Sequence, residues 1–311
     1  MGKTHDKSYP RMNRRIFFKN TGLAGAGAAF TAAALNGQNN CRAAESSPSE
    51  LLRETLKYRK LDSHNHISPE DPAMIIASAD MLGIEKIAIS VPAGDTPGEF
   101  RASNDKVLAA MRRYPDRILG QCYVNPGYPR ESQEEITRCI GEGMVQVGEL
   151  YTQYRINEPV YYPIIERCID LKIPLLMHAL AILGLIREGY TTHQSENTSI
   201  ADDFVEIGNR YPEAMIVHAH IFGGGDWEYT CKTLRDVPSI YGGTCGSQAD
   251  EGMVDFGLKY LGEDRMIFGT DVNFETGVGK VLSANLTENQ RQKIFFGNYN
   301  NMLRKAGNHV D

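Results

Sequence analysis

Short apolar runs alternate with helix-patterned stretches eight times along this chain of 311 residues, and that rhythm limits the fold more than any other feature. The apolar runs span residues 60–66, 86–91, 118–124, 144–150, 174–178, 215–220, 240–244 and 266–270. Helical patterns lie between them, over 73–82, 104–114, 132–141, 162–171, 200–211, 227–234 and 253–261, and 287–296 follows the last run. Alternation of this kind specifies a parallel sheet, because parallel neighbours need a crossover and a helix is the usual one. Eight repeats predict a closed α/β barrel of the (β/α)8 TIM type. An open doubly wound sheet competes, but the Gly-rich phosphate turn it needs after the first strand is missing. The first strand ends in histidines instead.

Asp62, His64 and His66 are two residues apart, so strand alternation puts them on one face. His178 closes the fifth run, His218 and His220 the sixth, Glu149 the fourth, and Asp271 follows the eighth. Each has an ordinary explanation alone: a packed core histidine, a solvated Glu, an Asp capping a helix. Together they are harder to explain that way, since the carboxyl ends of all strands in a barrel meet at one rim, where active sites lie. Apart from the first 43 residues and the tail, His193 is the one histidine elsewhere. Imidazoles and carboxylates in one place suit a divalent ion: zinc first, with manganese or iron(II) as alternatives.

Composition sorts the remaining classes. Six cysteines stand far apart with no Cys-x-x-Cys pair, which excludes a zinc ribbon, a thioredoxin-like redox centre and an iron–sulfur cluster. Residues 13–19 read Asn-Arg-Arg-Ile-Phe-Phe-Lys, and an apolar Gly/Ala-rich stretch follows to about Leu35. That is the layout of an export signal, and Arg14-Arg15 resemble the twin-arginine type. Its apolar run is too short for a comfortable membrane span. Cleavage after Ala43 removes seven Lys/Arg and one Asp, taking the net charge from −6 to −12. So acidic a body repels phosphate backbones, which speaks against a nucleic-acid partner. The expected organisation is a signal peptide over 1–43, a flexible leader over 44–58 and a catalytic barrel over 59–311. The expected partners are the twin-arginine translocase, a small-molecule substrate and, as an open option, a second copy in a homodimer. No stable membrane span is expected after signal removal, and the location is the periplasm or beyond.

From about Leu61 to Ala306 the chain resembles the amidohydrolase superfamily, and is most similar to the branch that includes aminocarboxymuconate-semialdehyde decarboxylase. The resemblance rests on the histidines above and on Leu82-Gly83-Ile84-Glu85-Lys86, Tyr114-Pro115-Asp116-Arg117, the segment Gly262-Glu263-Asp264-Arg265-Met266-Ile267-Phe268-Gly269-Thr270-Asp271, and Lys293-Ile294-Phe295-Phe296-Gly297-Asn298. It implies that His64 and His66 bind the first metal, with His178 and Asp271 completing its shell. Asp271 would also accept the proton of the attacking water, and Asp62 would orient the first-strand ligands. The sixth-strand histidine would polarise a carbonyl or bind a second ion. The resemblance puts a bridging carboxylate on the fourth strand of members with two ions, so Glu149 leaves the count at one or two. The sixth strand departs from the usual pattern: Ile221-Phe222 separate His220 from Gly223. The functional histidine is therefore His220, nearer the rim, or His218.

Water activated by such an ion attacks a carbonyl carbon, so the leading expectation is hydrolysis of a small ester, lactone or amide. The alternative is non-oxidative decarboxylation of an aromatic or unsaturated acid. A periplasmic metal- or ligand-binding protein without turnover is the reading from another class. Asn65, Tyr151, Tyr154, Trp227 and Asn273 lie on strand-end loops and are candidates to shape the pocket.

Overall fold

A computed structural model describes residues 48–66, 72–151, 153–179, 197–222, 225–246, 248 and 250–311. The proposed signal, residues 1–43, and His193 lie outside them. Eight parallel strands follow in chain order around one sheet: β1 (Leu61–His66), β2 (Lys86–Ser90), β3 (Ile118–Cys122), β4 (Gln146–Leu150), β5 (Leu175–Met177), β6 (Ile216–His218), β7 (Ile240–Gly243) and β8 (Met266–Ile267). The ring closes where Ser63 N–H donates to the Phe268 carbonyl at 3.0 Å and Asp271 N–H to the His64 carbonyl at 2.8 Å. This is the predicted (β/α)8 barrel.

The helices are α1 (Pro48–Leu56), α2 (Pro72–Leu82), α3 (Pro97–Arg113), α4 (Pro129–Gly141), α5 (Tyr162–Leu171), α6 (Ala201–Arg210), α7 (Trp227–Thr233), α8 (Met253–Leu261), α9 (Phe274–Ser283), α10 (Glu288–Gln292) and α11 (Asn298–Arg304). Strand alternation divides the core into two layers. Ile87 and Ile89 join the layer beneath the helices, while Ala88 between them faces the barrel interior. Leu175, Leu176 and Met177 divide the same way. Phe296, Tyr299, Met302 and Leu303 pack with Leu61, Val145 and Met215, which plugs the end where the strands begin. The opposite end is left for the site.

Helix α1 lies within residues 44–58, the segment expected to be a flexible leader. Its end is anchored, since the buried Tyr58 donates to Glu288 at 2.8 Å and Lys60 Nζ is buried against the Tyr58 carbonyl. Helix α3 begins earlier than its apolar pattern, because Thr96 and Glu99 form a capping box around Pro97. Among the described residues no helix is long and apolar enough to cross a membrane.

Candidate metal centre

Six of the predicted side chains converge at the rim where the strands end. Glu149 is fully buried and lies at the middle. Its Oε2 is 3.2 Å from His64 Nε2 and 3.2 Å from His66 Nε2, and those two nitrogens are 3.2 Å apart. Asp271 Oδ1 is 3.3 Å from His66 Nε2 and 3.7 Å from His64 Nε2. On the other side, Glu149 Oε1 is 3.0 Å from His178 Nδ1 and 2.9 Å from His220 Nε2, with 3.1 Å between those nitrogens. The carboxylate thus presents one oxygen to each of two imidazole pairs.

The spacing fits a cation. Ligand atoms about 2.0 Å from a tetrahedral ion stand about 3.3 Å from one another. Although Glu149 Oε2 is 3.2 Å from two ring nitrogens, it has no hydrogen-bond partner in proper geometry, and His178 Nε2 is likewise buried without one. Acceptors crowded in this way need shared positive charge. Burial pushes the Glu149 carboxyl up, but His64, His178 and His220 override it and hold its pKa well below the usual range. Burial opposes charge on His220, yet Cys245 and Glu149 lift its pKa to about 10. Burial also works to raise Asp271, but the His66 hydrogen bond and the neighbouring imidazoles bring it to about 2. A divalent ion here would balance the same carboxylates and would compete with protons for the ring nitrogens.

Local backbone explains the convergence. Gly148, at φ +120°, lies so close to β5 that a Cβ there would meet the Leu176 carbonyl oxygen at 2.2 Å. Only glycine lets β4 deliver Glu149 at that point. His220 and Asp271 both have left-handed backbone, at φ 58° and 48°. Such strain in residues other than glycine costs roughly 1–2 kcal/mol each and clusters at functional sites.

Other predicted residues go elsewhere. β6 ends at His218, so the alternation that would have paired it with His220 stops there. His218 is buried against Phe204, donates from Nδ1 to the Ala219 carbonyl at 2.7 Å, and takes no place in the cluster. Burial lowers its pKa to about 3, so it is neutral. Asn65 is out of phase with its two neighbours and is buried, donating to Asp62 at 3.0 Å and Thr270 at 2.7 Å. Asp62 is fully buried and accepts from the His64 N–H and from both N–H and Oγ of Thr270, a clasp between β1 and the segment after β8. Tyr151 stacks on the His178 ring at 4.7 Å and forms a wall of the site. Tyr154 packs on the core near Gly127. Trp227 hydrogen-bonds Asp250 and meets Phe256 edge-on, joining α7 to α8. Asn273 donates to the Asp271 carbonyl at 2.9 Å, bracing that turn.

Two contributors escaped the sequence reading. Cys245, just past β7, puts its sulfur 3.1 Å from His64 Nδ1 and 3.5 Å from His220 Nδ1. Ser90, the last residue of β2, faces His66 Nδ1 at 3.3 Å and accepts from Glu149 N–H at 3.3 Å. The strand-end rule that found the histidines would have found both, had it been applied to every residue type.

Comparisons agree with this architecture. The pattern of the family described as Amidohydrolase matches residues 62–299. A curated relative, 2-amino-3-carboxymuconate-6-semialdehyde decarboxylase of Dictyostelium discoideum, is 23% identical over 229 residues, 63% of either chain. The match thus spans less than two thirds of that relative's length. Among solved structures, 2,6-dihydroxybenzoate decarboxylase from Rhizobium superposes with a TM-score of 0.63 at 17% identity, covering 80% of this chain and 99% of that one. Dihydroxybenzoic acid decarboxylase from Polaromonas sp. JS666, with bound manganese and the inhibitor 2-nitroresorcinol, gives 0.62 at 18%, covering 79% and 97%. At these identities the solved structures speak for the fold alone. With a family pattern matched across most of the barrel, including every residue of the rim cluster, the chain belongs to the amidohydrolase family.

Proposed function

We propose that this chain is a metal-dependent, non-oxidative decarboxylase of an aromatic or unsaturated acid. The observation that carries the metal reading is the meeting of His64, His66, Glu149, His178, His220 and Asp271 around one carboxylate with too few hydrogens to share. The decarboxylating relative and the decarboxylase folds favour this reaction over the hydrolysis expected first.

His64, His66, Asp271 and Glu149 Oε2 would hold one divalent ion, and Glu149 Oε1, His178 and His220 a second. A bound ion would fix the substrate's oxygens and draw electron density from them. Asp271 is held ionised, and its side chain keeps 22% exposure at the open end. It picks up a proton from solvent and delivers it to the carbon bearing the carboxylate, one proton being consumed for each carboxylate lost. The carbon–carbon bond breaks, its electrons remain on the ring or alkene carbon, and carbon dioxide leaves. Tyr151, stacked on His178, offers a flat wall to a planar substrate. The donor set suits zinc, and manganese is as good a candidate given the solved relative.

Incubation with a panel of aromatic and unsaturated acids should release carbon dioxide without net addition of water. Asp271→Asn should lower turnover at least roughly a hundredfold with little change in substrate binding. His64→Ala or His178→Ala should lose metal by elemental analysis, and unchanged content would contradict the ligand assignment.

A carboxylate shared between two imidazole pairs also favours a second reading, hydrolysis of a small ester, lactone or amide through activated water. Cleavage with uptake of water and no carbon dioxide would select it. Inertness of the metal-loaded protein on both panels would select the binding-protein reading. We further propose that Arg14-Arg15 direct twin-arginine export of the folded barrel to the periplasm.

A further inference from the structure

We propose that Cys245 is a positioning residue of this centre: its sulfur accepts the Nδ1–H of one imidazole from each ligand set and so turns Nε2 of His64 and His220 towards Glu149. The inference rests on the reading that these imidazoles hold a cation. A ligating histidine uses one ring nitrogen, and its other N–H needs an acceptor to fix the ring, ordinarily a carboxylate, a carbonyl or water. For His64 that acceptor is sulfur, 3.1 Å from Nδ1, while Nε2 points to Glu149 at 3.2 Å. For His220 the sulfur is 3.5 Å from Nδ1 and also accepts the backbone N–H at 3.4 Å, while Nε2 meets Glu149 at 2.9 Å. Asp271 Oδ2, at 3.6 Å, is the other acceptor near His220 Nδ1.

The surroundings hold the sulfur in place. Cys245 is fully buried. The buried Lys280 donates to the carbonyls of Phe222 and Gly246 at 2.6 Å each, fastening the chain just after His220 to the chain just after Cys245. At Gly269 a Cβ would lie 3.0 Å from His64 Cβ and 3.5 Å from Cys245 Cβ, so β1, the end of β7 and the end of β8 meet without slack. His64, His220 and Cys245 could also be read as a separate ligand set, since their donor atoms lie within 4.8 Å of one another. Both rings would then serve an ion through each nitrogen, and the orientation of their Nε2 atoms towards Glu149 would lose its cause.

Replacing the sulfur separates acceptor from filler. The full chain and its Cys245→Ser, Cys245→Val and Cys245→Ala variants are loaded with cobalt(II). Metal per chain and its release to a chelator are then measured, with thermal unfolding of the metal-free forms as the folding control. Serine keeps the acceptor and should retain metal. Valine keeps only the volume, and with alanine should lose roughly tenfold to a hundredfold in affinity. Metal retention by the valine variant would overturn the proposal, as would a serine variant as leaky as alanine. A near-ultraviolet sulfur-to-cobalt band in the wild type would overturn it too, by making the sulfur a ligand. If valine does not fold, serine against alanine and the wild-type spectrum still decide. A wild type that takes up no metal would instead sink the metal reading itself.

Discussion

Asp62 has no contact with the facing ring nitrogens, yet four donors meet on its buried carboxylate: the backbone N–H groups of His64 and Thr270, the Thr270 hydroxyl and the Asn65 amide. Asp62→Ala would strand the His64 N–H and the Thr270 hydroxyl, while the Thr270 N–H keeps the His64 carbonyl at 3.3 Å and the Asn65 amide keeps Thr270 Oγ1 at 2.7 Å. Buried unsatisfied donors cost about 1–3 kcal/mol each, less whatever relaxation recovers. A loss of about 3 kcal/mol or more is therefore expected in urea unfolding, with Asp62→Asn intermediate because one oxygen remains. If stability were unchanged, the clasp between β1 and the chain after β8 would be unimportant. Alternation put Asp62 on the face of His64 and His66, but β1 shifts register between Asp62 and Asn65, and the Asp62 carboxylate meets the Asn65 amide instead. The orienting role that the resemblance implied runs through the His64 backbone N–H and not through a ring nitrogen. Asn65 shows the converse: as a loop residue it read as a pocket group, while in the fold its side chain completes the Asp62 network.

At the scale of elements, the end of β4 decides whether the centre exists. Gly148 passes Leu176 so closely that a methyl group would overlap the carbonyl oxygen, and its φ of +120° is hostile to any side chain. Gly148→Ala should therefore cost more than about 2 kcal/mol and displace Glu149, so that metal content falls together with melting temperature. Normal metal content in a folded Gly148→Ala protein would show that Glu149 is held by other means. Strands were readable because their apolar runs are short and bounded. Helices were less so where turn chemistry rules. Helix α9 (Phe274–Ser283) was not foreseen, since Gly277 and Gly279 break its apolar pattern. Gly277 is there for packing, because a Cβ would press on Thr270 at 3.1 Å. The stretch 287–296, read as one helix, divides into α10 and a π-helical turn over Lys293–Gly297 that leads into α11. No local propensity announces a π turn, since tertiary packing of Phe295 and Phe296 against the barrel selects it.

For the whole molecule, the eightfold rhythm was enough to specify the barrel, because parallel strands with helical crossovers have few ways to bury both faces of a sheet. The same closed core bears on export. Cys122, Cys139, Cys168, Cys231 and Cys245 are all buried and unpaired. A chain threaded unfolded into an oxidising compartment would expose every one of them to mispairing. A barrel folded and metal-loaded before it crosses would expose none of these five. The twin-arginine reading thus makes a joined prediction. Exported protein should begin at Ala44, having lost Cys41, and should yield five free thiols to a maleimide reagent only after denaturation. Changing Arg14 and Arg15 to Lys should hold the folded protein in the cytoplasm, seen by fractionation. Export of that variant would mean another route. Fewer than five thiols in the exported wild type would mean that the chain met the oxidant before its core had closed.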